Sequence, residues 1–453
     1  MTAETLNKSV ETDAAADPER GDRSADIDYM PPLTQAVPLG IQHVLAMFVG
    51  NVTVPIILAK AVGATPDQVV FLVQAAMFVA GVATLVQTLG IGPVGARLPI
   101  VMGTSFGFVP VMIPIAQAYG LPAVMGGALV GGLLMAGAGL YIRRINFLFP
   151  PVVTGTFVVM IGMILLPVGF AYVGGGFGAA DFGAPRHLLL AALVFGVTLV
   201  FHQFFKGFLA MAAVLIGLLV GYVAAIPLGL VDFSKVGDAG WFQLPQPFAI
   251  GIEFHAAAIV AIGLMAVVTV AESIGDIAGT AIGGANREPT RRELSGGVMA
   301  DGLMSSFAAV FNAFPQISFS QNVGLVALTG VASRFVVAIG GLFLIVAGLL
   351  PKLGALVSTV PNAVLGGAVV IMFGLITSAG MKMLSRIEFN KRNMLIIGVS
   401  LAVAIGLPAQ KGLIAAAPDG LQTILESGLI PGAIAAILLN LLLPRGGVEE
   451  EHH

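Results

Sequence analysis

Long apolar stretches fill this chain from about residue 30 to about residue 445. Each stretch is bounded by glycine, proline or charge and runs for about 15 to 25 residues, near the length with which a helix crosses ~30 Å of hydrocarbon. The pattern predicts an all-α polytopic membrane protein with fourteen transmembrane segments, at residues 36–58, 68–90, 98–116, 121–141, 150–172, 187–205, 208–230, 256–282, 297–312, 316–331, 335–350, 360–380, 393–407 and 428–443.

The third and tenth segments are shorter than the others and interrupted. Each carries a Ser-Phe pair near proline, Ser105-Phe106 in segment 3 and Ser318-Phe319 in segment 10. Pro315 and the period-2 alternation that follows it argue against a continuous helix. Interrupted segments at matching places in two halves of a chain indicate the binding site of a transporter built from inverted repeats.

Composition excludes a soluble globular protein. The chain is 57% hydrophobic and only 10% charged, whereas soluble domains are about 25% charged. The absence of cysteine excludes disulfides, thiolate metal sites and cysteine nucleophiles. A net charge of -3 does not suggest a nucleic acid partner.

The distribution of basic residues predicts the orientation. Residues 1–30 are polar without an apolar core, which is typical of a disordered tail and not of a signal peptide. With the N-terminus in the cytoplasm, 16 of the 21 Lys and Arg residues fall inside, as cytoplasmic loops require. We therefore expect a multi-pass protein of the cell (inner) membrane with both termini cytoplasmic, residues 446–453 forming a second tail.

A carboxamide pair, Gln321-Asn322, stands in an otherwise apolar stretch just after the interrupted tenth segment. A glutamine side chain both donates and accepts hydrogen bonds, whereas an ionised glutamate only accepts. A planar, imide-like ligand can therefore pair with Gln321 through adjacent N–H and C=O groups.

Glu272 is predicted to lie deep in the membrane, because the sixteen residues Ala256 to Ala271 before it carry no charge. A charged side chain there costs roughly 2.5 to 3.5 kcal/mol and usually marks a pathway, a proton relay or a ligand partner. The alternative is a carboxylate near a helix end that an internal partner neutralises. Asp276, one turn later on the same face, is either a second site carboxylate or a structural hydrogen-bond partner.

Further candidates each have more than one interpretation. Asp301, near the start of segment 9, is either an N-terminal capping residue or a proton-coupling or gating acid. His43, beside Gln42 in segment 1, is an ordinary satisfied core histidine, or it organises the site through hydrogen bonds, or it carries a proton; we favour the organising role. Phe106 and Phe319 either stack on a planar ring, a contact worth roughly 1 to 3 kcal/mol for bases, or simply pack.

At these residues the chain resembles the nucleobase-ascorbate transporter family (nucleobase:cation symporter-2) over about residues 30–445. The family signature is Gln, Glu or Pro, then Asn-x-Gly, four variable positions and Thr, and the run Gln321–Gly330 fits it. Gln42-His43, Ala271-Glu272 and Asp301 also match family positions, in order and at plausible spacing.

The resemblance implies two inverted repeats of seven segments each. A core domain would comprise residues 31–145 and 251–355, a gate domain residues 146–250 and 356–445, and short antiparallel strands would lie in segments 3 and 10. Family members commonly form homodimers through the gate domain, so we expect a homodimer.

The resemblance also implies roles for the site residues. Glu272 and Gln321 would hold the base directly and Phe106 would stack on it. Backbone N–H groups near Ser105, Phe106 and Gln321 would complete the pocket. Asn322, His43 and Asp301 would support geometry and coupling.

The first signature position sorts substrates within the family: uracil permeases have Glu, the ascorbate group has Pro, and xanthine and urate permeases have Gln. Gln321 therefore implies a purine, and the small Ser105 leaves room for urate. We expect proton-coupled uptake of uric acid or xanthine by elevator-type alternating access, with sodium coupling open and no metal or other cofactor. The alternatives are a uracil or broad nucleobase symporter, an anion exchanger of the related fold, a channel or an intramembrane enzyme.

Overall fold

The computed structural model describes residues 25–444, most of which are helical. The first half contains α1 (Leu33–Ala61), α2 (Pro66–Leu89), β1 (Met102–Thr104), α3 (Val109–Leu140), α4 (Pro151–Val173), α5 (Pro185–Phe204), α6 (Ala213–Ala225) and α7 (Ala256–Ala285). The second half contains α8 (Arg291–Val310), β2 (Gln316–Ser318), α9 (Ser320–Thr329), α10 (Arg334–Gly348), α11 (Pro351–Ser358), α12 (Asn362–Leu384), α13 (Lys391–Ala409), α14 (Asp419–Glu426) and α15 (Leu429–Leu442). Four short helices and two 3₁₀ turns lie in the connections, at Ile142–Ile145, Phe208–Met211, Ser234–Asp238, Lys411–Ile414, Phe106–Phe108 and Asn146–Leu148.

Local sequence explains where several helices begin. Thr65 caps α2 by accepting from Gln68 N, and Thr290 caps α8 by accepting from Glu293 N; both ends form a full capping box. Gly120 interrupts α3 with a φ of 82°, at the predicted boundary between segments 3 and 4, because glycine adopts positive φ without steric cost.

Eight helices in the described part of the chain are long and apolar enough to cross a membrane, or up to ten if two sharply bent pairs each count as a span. One of the eight, Phe106–Leu140, runs through the second half of predicted segment 3 and nearly all of predicted segment 4. The bent pairs are α10 with α11, and α14 with α15. Predicted segment 7 corresponds to the short helix α6. Predicted segment 9 corresponds to α8, which carries charged residues, and predicted segment 10 corresponds to β2 followed by α9.

The two interrupted segments meet as an antiparallel pair of strands. Met102 lies opposite Ser318 and Thr104 opposite Gln316, and every residue of both strands is buried. The prediction of short strands in segments 3 and 10 is confirmed. A helix begins beyond each strand, so two helix N-termini are brought close to the strand pair.

The long helices pack in two groups. In the first group, α1 and α2 pack on α10, and α3 packs on α7 and α8. In the second group, α4 and α5 pack on α12, α5 packs on α6, and α13 packs on α15. Small residues permit close approach within the first group: a Cβ added to Gly302 would lie 2.3 Å from Ala136 N and 2.6 Å from Gly132 O.

The predicted N-terminal tail, residues 1–30, falls mostly on residues 1–24, which lie outside the described residues, as do 445–453. Residues 25–30 are described and contact the body of the protein. Arg334 N donates to Ile27 O at 3.1 Å, and Arg334 Nε lies 2.7 Å from Asp28 Oδ1. Residues 25–30, which the prediction placed in the tail, therefore pack against the rest of the protein.

Candidate functional site

A cavity of about 340 Å³ lies between the two helix groups, within the usual size range of small-molecule pockets of roughly 300 to 1,000 Å³. Most of its polar lining comes from the first helix group. The polar residues are Thr104 at the end of β1, Ser318 at the end of β2, Ser320 and Gln321 at the start of α9, and Glu272 on α7. The second group contributes a largely apolar wall that includes Val158, Ile161, Met372, Leu375 and Ile376. The cavity therefore joins both interrupted segments.

Glu272 and Gln321 line the same cavity. Glu272 Oε2 is buried without a hydrogen-bond partner, and Gln321 is exposed on the second residue of α9. The first N–H groups of a helix have no partner within it, so α9 presents free donors beside the Gln321 carboxamide. The arrangement combines a carboxyl group, a carboxamide and helix-end donors, which suits a flat ligand with alternating N–H and C=O groups.

Asp301 lies behind the cavity and is fully buried. The N-cap interpretation is wrong, because α8 begins at Arg291 under the Thr290 cap and Asp301 lies in its third turn. Ser273 Oγ donates to Asp301 Oδ2 at 2.5 Å, and Ser318 Oγ lies 3.1 Å from Asp301 Oδ1. Asp301 therefore links the helix that carries Glu272 to the strand that precedes Gln321.

Gln87 completes this network and was missed by the sequence reasoning. Its Nε2 lies 3.1 Å from both Asp301 Oδ1 and Ser318 Oγ, and its Oε1 accepts from Ala96 N at 2.9 Å. The available signal was a polar side chain in the apolar segment 2, one turn from Thr84. A buried carboxamide in such a segment needs partners.

Asn51 holds the other strand and was also missed. Its Oδ1 accepts from Thr104 N at 2.9 Å and from Thr104 Oγ1 at 3.0 Å. Its Nδ2 donates to Ala76 O at 3.3 Å. Asn51 thereby ties α1 and α2 to the strand end that enters the cavity.

Asn322 joins α9 to α1. Its Nδ2 donates to the backbone carbonyl of His43 at 3.0 Å and lies 3.1 Å from His43 Nδ1. A carbonyl oxygen only accepts, so the Asn322 atom that faces it is the amide nitrogen. His43 is buried and joined to α9 by these contacts, which supports its organising interpretation.

Asp276 does not line the cavity. Ser320 Oγ donates to Asp276 Oδ1 at 2.7 Å, which matches the structural alternative for this residue. Because Ser320 is the first residue of α9, the contact fixes the start of that helix against α7.

The two phenylalanines line the cavity but differ in their surroundings. Phe106 meets Phe373 edge to face, with ring centroids 5.5 Å apart. The Phe319 ring fits against Gly50 and Gly103, where an added Cβ would lie 2.8 Å and 2.6 Å from ring atoms. Phe319 therefore also serves ordinary packing, while Phe106 stands at the junction of the two helix groups.

Six predicted site residues are not among the described residues that line the cavity: Asp276, Asp301, His43 and Asn322, described above, and also Ser105 and Gln42. Ser105 N donates to Pro315 O at 2.9 Å, so this backbone N–H is already used between the two interrupted segments and does not complete the pocket. Ser105 Oγ is buried and has no hydrogen-bond partner. Gln42 is half-buried on α1, outside the lining of the cavity.

Comparison with known proteins gives the family. A family model described as Permease family (Xan_ur_permease) matches residues 34–413. The chain belongs to this permease family. The match confirms the nucleobase:cation symporter-2 membership that the run Gln321–Gly330 predicted.

Two similar permeases come from Bacillus subtilis (strain 168). Its xanthine permease is 40% identical over 407 residues, which cover 89% of this chain and 92% of the relative. Its uric acid permease PucK is 38% identical over 415 residues, which cover 90% and 95%. The likeness extends over nearly the whole membrane part of both proteins.

The family fold is also recognised in solved structures. The transmembrane domain of a cyanobacterium bicarbonate transporter, BicA, superimposes with a TM-score of 0.61 at 16% identity, covering 92% of this chain and 100% of that chain. At such low identity the likeness shows the fold alone. It confirms the predicted class, a polytopic helical membrane protein.

Proposed function

We propose that this permease is a secondary active transporter that takes up uric acid, xanthine or both in symport with protons. The observation that carries the proposal is the cavity that joins the unpartnered Glu272 carboxyl group to the Gln321 carboxamide. The names of the Bacillus subtilis relatives, a xanthine permease and a uric acid permease, support the substrate class.

Gln321 accounts for the preference for purines over uracil. Its carboxamide offers a donor and an acceptor to adjacent C=O and N–H groups of the base, while Glu272 accepts from another N–H. Phe106 stacks on the ring from the junction of the helix groups. The apolar wall around Ile161 and Met372 covers the remaining face of the base.

Glu272 is the proton carrier in this proposal. One proton that crosses 100 mV contributes about 2.3 kcal/mol, and one pH unit adds about 1.4 kcal/mol. Together these sustain an accumulation of roughly several hundredfold. The coupling ion is the proton, with sodium as the alternative that the experiment below separates.

Transport proceeds by movement of one helix group against the other. The first group corresponds to the core domain, residues 31–145 and 251–355, and carries the polar half of the cavity. The second group corresponds to the gate domain, residues 146–250 and 356–445, and carries the apolar half. An elevator mechanism is consistent with this division, because a rigid core can move its polar site past an apolar wall. We further propose a homodimer through the gate domain, as the family resemblance implies.

An anion exchanger of the BicA kind is less well supported. The likeness to BicA is one of fold, and the cavity holds the Glu272 carboxyl group, while none of its described lining residues is Lys or Arg. A permanently positive site for an inorganic anion is therefore not found among them.

Uptake by purified protein in proteoliposomes tests the proposal. Labelled xanthine, urate, uracil and bicarbonate are offered with an imposed inward proton gradient, with a sodium gradient, and with neither. We expect accumulation of xanthine or urate that needs the proton gradient. Accumulation driven by sodium alone would refute the proton assignment, and uptake of uracil or bicarbonate without purine would refute the substrate.

A further inference from the structure

Among the described residues, His202 is the one polar side chain that the second helix group contributes to the cavity lining. It lies in the last turn of α5 and is exposed, at the border formed with Ala210 and Met211, which precede α6. It is not part of the carboxyl and carboxamide arrangement described above, and its position on the opposite wall brings it into the same space as the ligand.

The charge of the lining residues gives His202 a particular role. Glu272 is the one acidic residue among the described residues that line the cavity, and His202 is the one that can become positive. Asp276 and Asp301 lie behind Glu272 on the same side. A base that entered as an anion would therefore face carboxyl groups on one wall and His202 on the other.

Purine bases differ in this respect. Urate carries a negative charge near neutral pH, whereas hypoxanthine is neutral. A positive group within a few ångströms of an anion stabilises it, and more strongly in a partly enclosed cavity than in bulk water. Histidine is the side chain that changes charge near neutral pH, so this attraction would depend on pH.

We infer that His202 is a specificity-determining residue, whose protonated imidazole favours anionic purine bases over neutral ones. The inference rests on the proposed purine transport and adds a discriminating group on the gate side of the cavity. Glu272, Gln321 and Phe106 hold any base of the right shape, and His202 distinguishes bases by charge.

Other titratable groups near His202 do not replace it. The elements packed against α5 carry Tyr172 on α4, Tyr222 on α6 and Lys382 on α12, and Lys206 follows α5 in the chain. Across the cavity the facing group is Glu272. Neither lysine lines the cavity, so His202 is the one basic side chain among the described residues that line it.

The test measures how well urate and hypoxanthine compete with labelled xanthine uptake, at about pH 6 and about pH 8. The ratio of the two inhibition constants cancels the pH dependence of transport itself. In the wild type, urate should inhibit more strongly relative to hypoxanthine at the lower pH than at the higher pH. His202→Gln keeps hydrogen bonding but removes the charge, so in this variant the ratio should no longer change with pH. The pH-dependent change that it loses should be about 2- to 5-fold, the effect of one exposed charge.

Further variants separate charge from structure. His202→Arg should favour urate at both pH values, because its charge is permanent. His255→Gln removes a histidine that lies 3.2 Å from Glu253 outside the cavity, and Lys206→Gln removes a nearby cation, so both should keep the wild-type pH dependence. If His202→Gln gives too little transport, the same ratio is taken from ligand-induced thermal shifts of purified His202→Arg and wild type.

The outcomes are distinct. A ratio that is unchanged in His202→Gln and His202→Arg at both pH values overturns the inference while purine transport stands. A wild type that neither takes up nor binds these purines overturns the proposed function and, with it, the role of His202.

Discussion

At the residue scale, the site depends on polar side chains with incomplete hydrogen bonding. Glu272 Oε2 has no partner and faces the cavity, whereas Asp301 is surrounded by donors from Ser273, Ser318 and Gln87. Buried polar groups normally have partners. Glu272 both lines the cavity and lacks a partner for Oε2, so it is the acidic group that is available to a ligand or a proton. Asp301 instead holds structural elements together.

Replacing Glu272 by Gln should abolish uptake against a gradient. Glutamine keeps the size and an accepting oxygen but cannot take up and release a proton. Accumulation of labelled xanthine under an imposed proton gradient is the measurement. Asp67→Asn, which removes an acid from the first turn of α2, serves as the control and should accumulate xanthine normally. Full proton-driven accumulation by Glu272→Gln would show that the proton is carried elsewhere.

Replacing Gln321 by Glu should weaken purine binding by about 2- to 10-fold, the effect of losing one hydrogen bond, and should shift selectivity towards uracil. The matched control is Gln117→Glu, because Gln117 donates to Ala61 O away from the cavity. Competition by xanthine, urate and uracil provides the measurement. Equal competition profiles for wild type and Gln321→Glu would reject the carboxamide argument.

At the element scale, the interrupted segments were predictable while their partners were not. Pro315 and the alternation after it indicated that segment 10 is not a continuous helix, and β2 precedes α9 there. The residues that hold the strands, Asn51 and Gln87, come from segments 1 and 2. Their sequence spacing carries no information on this contact, because it forms only when separate helices pack around the strand pair.

Helix packing in the first group depends on glycine. Gly302→Ala should lower stability by about 1 to 3 kcal/mol, the usual cost of overpacking, because the new Cβ would meet the backbone at Ala136 N and Gly132 O. Gly137→Ala on α3 is the control, since nothing lies within 4 Å of the added atom and alanine favours helix. The midpoint of thermal unfolding in detergent should be lower for Gly302→Ala than for Gly137→Ala. Equal midpoints for the two variants would contradict the packing argument.

At the scale of the whole molecule, a polar contact bridges the two helix groups near the end of α1. Lys60 Nζ donates to Asn362 Oδ1 at the start of α12 and lies 5.9 Å from the centroid of the Tyr172 ring. Asn362 Nδ2 in turn donates to Gly175 O at 2.7 Å. Orientation by basic residues places this contact on the predicted extracellular side, where it joins the two groups that the proposed mechanism moves apart.

Lys60→Ala should therefore favour opening on that side. The chain has no cysteine, so Ile57→Cys, at a fully buried position one turn before Lys60, provides a single label site. Reaction with an impermeant maleimide added outside should be about 2- to 5-fold faster without the Lys60 side chain. The loss of one weak contact that stabilises the closed state raises the population of the open state by about that factor. Arg186→Ala is the control, because Arg186 contacts Asp181, a residue of the same proposed gate domain, and so bridges nothing across the two groups. Equal labelling rates in all three backgrounds would exclude a closing role for Lys60.

The sequence by itself determined the membrane class, the interrupted segments, the family and four residues that line the cavity, Glu272, Gln321, Phe106 and Phe319. These follow from local properties: hydropathy over a membrane thickness, proline and alternation where a helix fails, and a motif of adjacent residues. Tertiary structure alone decided that Asp301 is a buried link and not a cap, that the Ser105 N–H is already used, and that His202 lines the cavity from the opposite helix group. Each of these depends on which distant side chain or backbone group lies within hydrogen-bonding or cavity distance, and helix packing sets that distance.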